Sequence, residues 1–345
     1  MLKMNKLVIN TLLVFIFVAF SINAQYVNNV SKRGTTAAQF LKVSQGARGT
    51  AMGSAFVAVS DDASSMFWNV AGIARQNNNS VIFDHTQWIA DLSYNFIAGT
   101  INLGDYGTIG MSFIGSNYGE MNVTTVDEPD GTGSVFAVSD VAFSLGWAIN
   151  LTQEFSIGFN PKVIQQSIWN TSGTAFAIDM GVLYDTPFDG LTIGMSITNL
   201  GTKLQLTGTS NVILYDQDDE TTGNNDRIPG EYSTGNWSLP LTYVLGFSYD
   251  VFKSDMHQFI IDIDARHPND NYESVNIGGE YIFNDVIALR GGYKTLFLND
   301  SQETFALGAG FKQKLLGNIA FHIDYAYQDF GILNSIHKVS VGIDF

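Results

Sequence analysis

From residue 80 to the C-terminus, apolar side chains alternate with polar or small ones at a period of two. The last nine residues show the pattern plainly. Val339, Val341, Ile343 and Phe345 share one parity, and Lys338, Ser340, Gly342 and Asp344 share the other. Ile319, Phe321, Ile323, Tyr325 and Tyr327 repeat it against Ala320, His322, Asp324, Ala326 and Gln328. Successive side chains of a strand point to opposite faces, whereas helical spacing would spread these residues around an axis. The alternation predicts fourteen strands, over 80–89, 92–104, 106–120, 137–151, 155–170, 175–186, 191–206, 239–252, 257–268, 272–284, 286–297, 303–314, 319–330 and 337–345. Most have the roughly 9–11 residues that a tilted strand needs to cross a bilayer.

The connections alternate too. Gly104 to Tyr106, Thr152 to Glu154, Pro187 to Gly190, Lys253 to Met256, Asn284-Asp285 and Leu315 to Asn318 are tight. The intervening connections, 121–136, 171–174, 207–238, 298–302 and 331–336, are mostly longer, with Ala90-Asp91 a short exception. Outer-membrane barrels have short periplasmic turns and longer outer loops. With both termini periplasmic, the tight turns fall on the periplasmic side. A soluble β-sandwich also alternates, but three features weigh against it. The polar face is rich in Gly, Ser and Ala, as a crowded lumen requires. Trp147, Tyr249, Phe283, Tyr327 and Phe345 gather near strand ends, where an interfacial girdle sits. Finally, the chain stops on an aromatic that completes the last strand; Val341, Ile343 and Phe345 resemble the C-terminal signal read by the barrel-assembly machinery.

Met1 to Ala24 reads as a cleaved secretory signal peptide. Lys3 and Lys6 start it, Leu7 to Phe20 is apolar, and Ser21 to Ala24 offers a small-residue cleavage site. A membrane anchor is the alternative, but the uninterrupted run Leu12 to Phe20 falls well short of the about 20 residues a spanning helix needs. No later apolar run is longer, so spanning by a closed barrel is the remaining route into a membrane. The expected architecture is all-β: a 14-stranded antiparallel transmembrane barrel over 80–345, preceded by residues 25–79, which do not alternate.

That leading segment has helical spacing from Ala37 to Val43 and small residues from Gly46 to Val59. Ser60, Asp61 or Asp62 is a natural N-cap for a short helix that Gly72 would end. A compact piece ahead of fourteen strands has room to fill the lumen. The run from Gly46 to Ala74, with Gly49, Gly53, Asp61, Asp62, Trp68, Asn69 and Gly72, resembles the N-terminal hatch of FadL-like outer-membrane proteins. It is closest to their PorV/PorQ branch, in which Trp-Asn-Pro-Ala commonly follows Asp-Asp-Ala-Ser; here Val70 replaces the proline. The resemblance implies a hatch inside the barrel and one of two jobs. PorV/PorQ-like proteins serve type IX secretion by handling exported proteins or the translocon. FadL-like transporters pass hydrophobic small molecules through a hatch-blocked barrel and out through a gap in its wall. A purely structural, sealed barrel is a third reading.

Composition narrows the chemistry. With 17 Lys+Arg against 33 Asp+Glu, the net charge of −16 argues against a nucleic-acid partner. The absence of cysteine excludes a thiolate nucleophile and a disulfide scaffold. The five histidines lack metal-ligand spacing, so neither an enzyme nor a cofactor is expected. Lumen parity gathers Asp262, Asp264, Arg266, Glu280, Arg290, His322 and Asp324 on strands 9, 10, 11 and 13. These form either a polar constriction or, more plainly, charges paired with each other and the plug. The acidic stretch 207–238 does not fit a calcium-loop spacing and reads as a solvated outer loop. In strand three, Ile109, Met111 and Phe113 are odd-numbered while Ile114 and Tyr118 are even. This slip predicts a bulge, with a lateral opening near Phe113, Ile114, Gly115 and Gly119 as one reading and an early strand end as the other.

Overall fold

The computed structural model describes residues 32–217, 220, 225, 227–298, 301–315 and 317–345. Within them fourteen antiparallel staves close into one ring. They are β1 (Ser80–Gln87), β2 (Ser93–Asn102), β3 (Thr108–Asn117), β4 (Val135–Asn150), β5 (Phe155–Ile168), β6 (Thr171–Asp185), β7 (Leu191–Gly201), β8 (Thr242–Lys253), β9 (His257–Pro268), β10 (Ser274–Phe283), β11 (Ile287–Leu296), β12 (Phe305–Lys314), β13 (Ala320–Asp329) and β14 (Ser335–Asp344). Each pairs with its neighbours in sequence. β1 and β14 complete the circle, with Ser80 opposite Asp344 and Gln87 opposite His337. Asn79 and Phe345 exchange backbone hydrogen bonds of 3.0 and 2.8 Å just beyond that seam. No unpaired edge is left along it, which is what a strand wall in hydrocarbon demands.

The period of two decides which way each side chain faces. Phe83, Ile97, Met111, Leu145, Phe247, Leu289 and Ile323 are exposed on the outside, while Asp84, Ala98, Ser112, Ser144 and Asp262 are buried within. Trp147, Tyr249, Phe283 and Phe345 lie exposed close to the short-turn rim. Two expected boundaries move by four residues or more. β6 begins at Thr171, because its Thr-Ser-Gly-Thr start pairs with β5 through a tight turn in which Trp169 takes a left-handed φ of 49°. β7 ends at Gly201 rather than 206, after Asn199 turns to φ 62°. Two expected loops hold extra pairing. Glu120–Asn122 pairs with Val135–Ala137, and Val212–Tyr215 pairs with Ile228–Glu231.

Residues 33–79 run along the inner faces of the staves. Arg33 donates to Asn271 and Ala37 N–H to Ser238 O, both at the long-loop rim. At the other end Asn102 Nδ2 donates to Gln76 O at the short-turn rim. The described chain therefore starts at the long-loop rim and descends through the ring before β1 begins. Small inner residues make the room. Nine staves each contribute a glycine at which a Cβ would press on this segment; Gly110, Gly158, Gly194, Gly278 and Gly292 are among them. The expected signal peptide, residues 1–24, and residues 25–31 lie outside the described residues.

Candidate functional site: the filled interior of the barrel

The glycine-rich motif builds the segment's fold. Gly46 (φ 83°) precedes a one-turn helix, Ala47–Ala51, and Gly49 passes against the indole of Trp68, where a Cβ would not fit. Gly53 (φ 64°) lies under the backbone of Gly292 and Tyr293, an approach and a conformation that both favour glycine. Trp68 donates from Nε1 to Gln45 O at 2.8 Å and packs edge-on against Phe56 and Phe67. Its hydrophobic bulk fills the space while its one polar atom is satisfied.

The expected single helix ending at Gly72 is instead two short pieces, Ser65–Trp68 and a 3₁₀ turn, Val70–Arg75. Asn69 breaks it. Extended there, Asn69 donates from Nδ2 to Val57 O (2.9 Å) and Val182 O (3.0 Å), and its Oδ1 caps Ala71 N–H (3.2 Å). Gly72 sits inside the 3₁₀ turn, pressed against the Ser60 carbonyl, and does not end it. The cap expected from Ser60, Asp61 or Asp62 is also absent at the N-cap position itself, Ser64, which has no side-chain cap bond. Asp62, two residues earlier, accepts Ser64 N–H on Oδ1 at 2.8 Å and Ser65 N–H on its carbonyl at 3.0 Å, so it caps the turn that leads into the helix.

The lumen charges divide into two groups. Glu280, fully buried, accepts Arg48 Nε (2.9 Å) and Nη2 (2.7 Å) as well as Arg290 Nε (2.6 Å). Arg290 Nη1 reaches Asp324, whose other oxygen lies 3.4 Å from His322 Nδ1. Arg48 continues the chain to Asp61 and, at 3.1 Å, to Asp62. Acid and base alternate, so each buried charge has its counter-ion. This network faces a cavity of about 450 Å³ at the short-turn rim. Asp264 and Asp262 lie apart from it. Asp264 Oδ2 accepts Phe56 N–H (3.0 Å) and Val57 N–H (3.2 Å), so the wall grips the segment by its backbone. Asn276 (to Ser54 O), Ser340 (from Ala47 N–H) and Lys338 (to Ser44 O) do the same. Arg266 lies beside Asp264 on the same face and joins neither set of bonds.

Phe113 faces outward and Ile114 inward. β3 stays bonded to β2 through Asn117, but its ladder to β4 stops at Gly115–Val141 and resumes one register later at Glu120–Ala137. Across the interruption Ser116 Oγ accepts Asp140 N–H (2.8 Å) and donates to Asp140 O (3.1 Å). Gly119 takes φ 71° there. At the C-terminus, Ile343 and Phe345 are exposed outward beside the β1 seam, with Val341 between neighbours on the same face. Arg48, Asp140 and Asp270 do structural work that the expected site lacked. For Asp140 the signal was present, since it shares the lumen parity of Ala142, Ser144 and Gly146.

A closed fourteen-stave ring with a filled interior and an apolar exterior defines a transmembrane β-barrel of the outer-membrane type. The family model described as type IX secretion system protein PorV matches residues 26–213, and the chain belongs to that family. No curated protein sequence is similar enough to count as a match. Among solved structures, the chain resembles the CymD monoaromatic hydrocarbon channel (TM-score 0.53, 14% identity, 88% of this chain and 97% of that one). It also resembles the toluene transporter TbuX of Ralstonia pickettii (0.52, 14%, 87% and 97%) and the toluene transporter TodX of P. putida (0.51, 11%, 87% and 96%). At such identities the likeness is one of fold.

Proposed function

We propose that this barrel is a non-enzymatic accessory component of type IX protein secretion, binding an exported protein or the translocon at the outer membrane, with residues 25–79 as its hatch. The observation that carries the reading, beside the family, is how the interior is held. Asp264, Asn276, Asn160, Ser340 and Lys338 bond to the segment's backbone rather than to exchangeable side chains. Backbone-directed bonds from several staves break only together, so the arrangement favours a fixed core whose outer surface and loops do the work. Deleting the gene is expected to deplete surface-attached and secreted proteins while hydrocarbon uptake stays normal; the opposite result would refute the reading. Lipid would contact the outer apolar band, and the barrel-assembly machinery would read Val341, Ile343 and Phe345.

One observation favours the second reading, passive transport of hydrophobic small molecules. The β3–β4 ladder is interrupted beside Phe113 to Gly119, and side-chain bonds bridge it there, from Ser116 to the Asp140 backbone and from Tyr118 to its carboxylate. A lateral opening there would be widened by Ser116→Gly, and uptake of toluene into proteoliposomes should then rise.

A further inference from the structure

At the long-loop rim lies a second cavity, of about 510 Å³, which shares no lining residue with the one beside Arg48. Trp88, Tyr94, Tyr118 and Phe40 line it. Trp88 and Tyr94 meet at 87° with centroids 5.7 Å apart, and Tyr94 and Tyr118 at 85° and 6.4 Å, so the rings form a continuous aromatic wall. Three charged residues also line the cavity, and two are already matched. Lys42 pairs with Asp270 at 3.0 Å, and Glu303 with Lys294 at 2.7 Å. The third is Asp140, 6% exposed, for which no cationic partner occurs among the described residues. Its carboxylate takes one hydrogen bond from Tyr118 OH (2.6 Å) and one from Gln166 Nε2 (2.9 Å), which leaves acceptor capacity on both oxygens. Gln166 is itself oriented by Ala38 N–H (2.9 Å), and the Asp140 backbone by Ser116. The carboxylate is thus held in place by two neutral donors, one on each oxygen.

A buried carboxylate normally has a counter-ion, because neutral hydrogen bonds recover only part of its lost hydration. Aromatic rings add attraction for a cation and contact area for an apolar stem. We propose that this cavity binds a primary ammonium or guanidinium carried on an apolar stem, with Asp140 as its counter-ion and Trp88, Tyr94 and Tyr118 around the stem. That chemistry is offered by a free arylalkylamine and by a lysine or arginine side chain of a polypeptide. The inference stands on the cavity itself and is independent of whether the barrel serves secretion or transport.

Equilibrium dialysis of the full-length barrel in detergent tests it with two probes, phenethylammonium and a short neutral peptide carrying one lysine. Saturable binding of the amine assigns a small-molecule ligand, and binding of the peptide alone assigns a polypeptide one. Asp140→Asn keeps the Tyr118 contact and removes the charge, so affinity for the bound probe should fall at least tenfold. Acetylating the peptide lysine should have the same effect. Trp88→Leu, in the connection between β1 and β2, should weaken binding severalfold without altering a stave of the barrel, and heat-modifiable gel mobility shows that each variant is folded. Saturable binding of neither probe, or binding that Asp140→Asn leaves unchanged, overturns the proposal.

Discussion

A single methyl group measures how closely the segment and the wall fit. At Gly292 of β11 a Cβ would press on the Met52 carbonyl carbon and the Gly53 amide, backbone atoms with no room to retreat. At Gly279 of β10, on the outer parity, the nearest atom would be Phe259 Cε2 at an ordinary 3.5 Å. Overpacking a tight interior costs about 1–3 kcal/mol, and an exposed change of this kind under about 0.5 kcal/mol. Gly292→Ala should therefore lower the temperature at which heat-modifiable mobility is lost, while Gly279→Ala should leave it in place. The charged network offers a larger effect. Glu280→Ala leaves Arg48 and Arg290 facing each other without their shared carboxylate, a loss of about 3–5 kcal/mol by the cost of breaking a buried ion pair. The same thermal assay should register it, and Glu280→Gln should recover part of the loss by keeping the shape.

Among the elements, the connection between β9 and β10 does more than turn the chain. Asp270 within it is buried and takes hydrogen bonds from Thr36 (2.7 Å) and Gln39 (3.0 Å) and an ion pair from Lys42, so it pins the segment at its entry. Burial alone would push its carboxyl up, but the Gln39 and Thr36 hydrogen bonds and the Lys42 charge outweigh it and hold the group below its usual range. A carboxyl depressed by folding stabilises the folded state fully above its unfolded pKa, about 4, and loses that contribution as pH falls through the folded value. Protease cleavage after Lys42 or Arg33 should thus increase as pH is lowered below about 4, assayed with an acid-tolerant protease, and Asp270→Asn should remove that dependence by making the site open at every pH. Nothing local in the sequence announced this contact, because its partners lie more than 220 residues away. The staves were legible for the opposite reason. Each carries its own alternation of Val, Ile, Phe and Tyr with small residues, a signal that needs no partner. The expectation failed where local polarity and tertiary pairing disagree, at Thr171 to Thr174, and where one side chain, Asn69, overrides helical spacing by bonding to two distant carbonyls.

For the molecule as a whole, alternation indicated a closed barrel and small residues indicated a filled one, but the path of the filler was not readable. Which rim the segment enters depends on Arg33 meeting Asn271 and Ala37 meeting Ser238, contacts set only once the ring has closed. That path yields a test separating the two proposed roles. The chain has no cysteine, so any introduced pair forms the only possible disulfide. Ala47 N–H donates to Ser340 Oγ at 2.7 Å, which brings the segment and β14 within bridging reach, and both residues are small and buried. Ala47→Cys with Ser340→Cys should therefore tie the inner segment to the wall when oxidised and free it when reduced. If the barrel acts in secretion through its surface and loops, exported proteins should reach the cell surface equally in both states. If it passes hydrophobic molecules by displacing the hatch, toluene uptake should stop on oxidation and return on reduction, because a tethered segment cannot leave its ring of glycines. Loss of secretion in the oxidised state alone, with the barrel still folded, would mean that the interior moves during secretion, contrary to the fixed core argued from its backbone bonds.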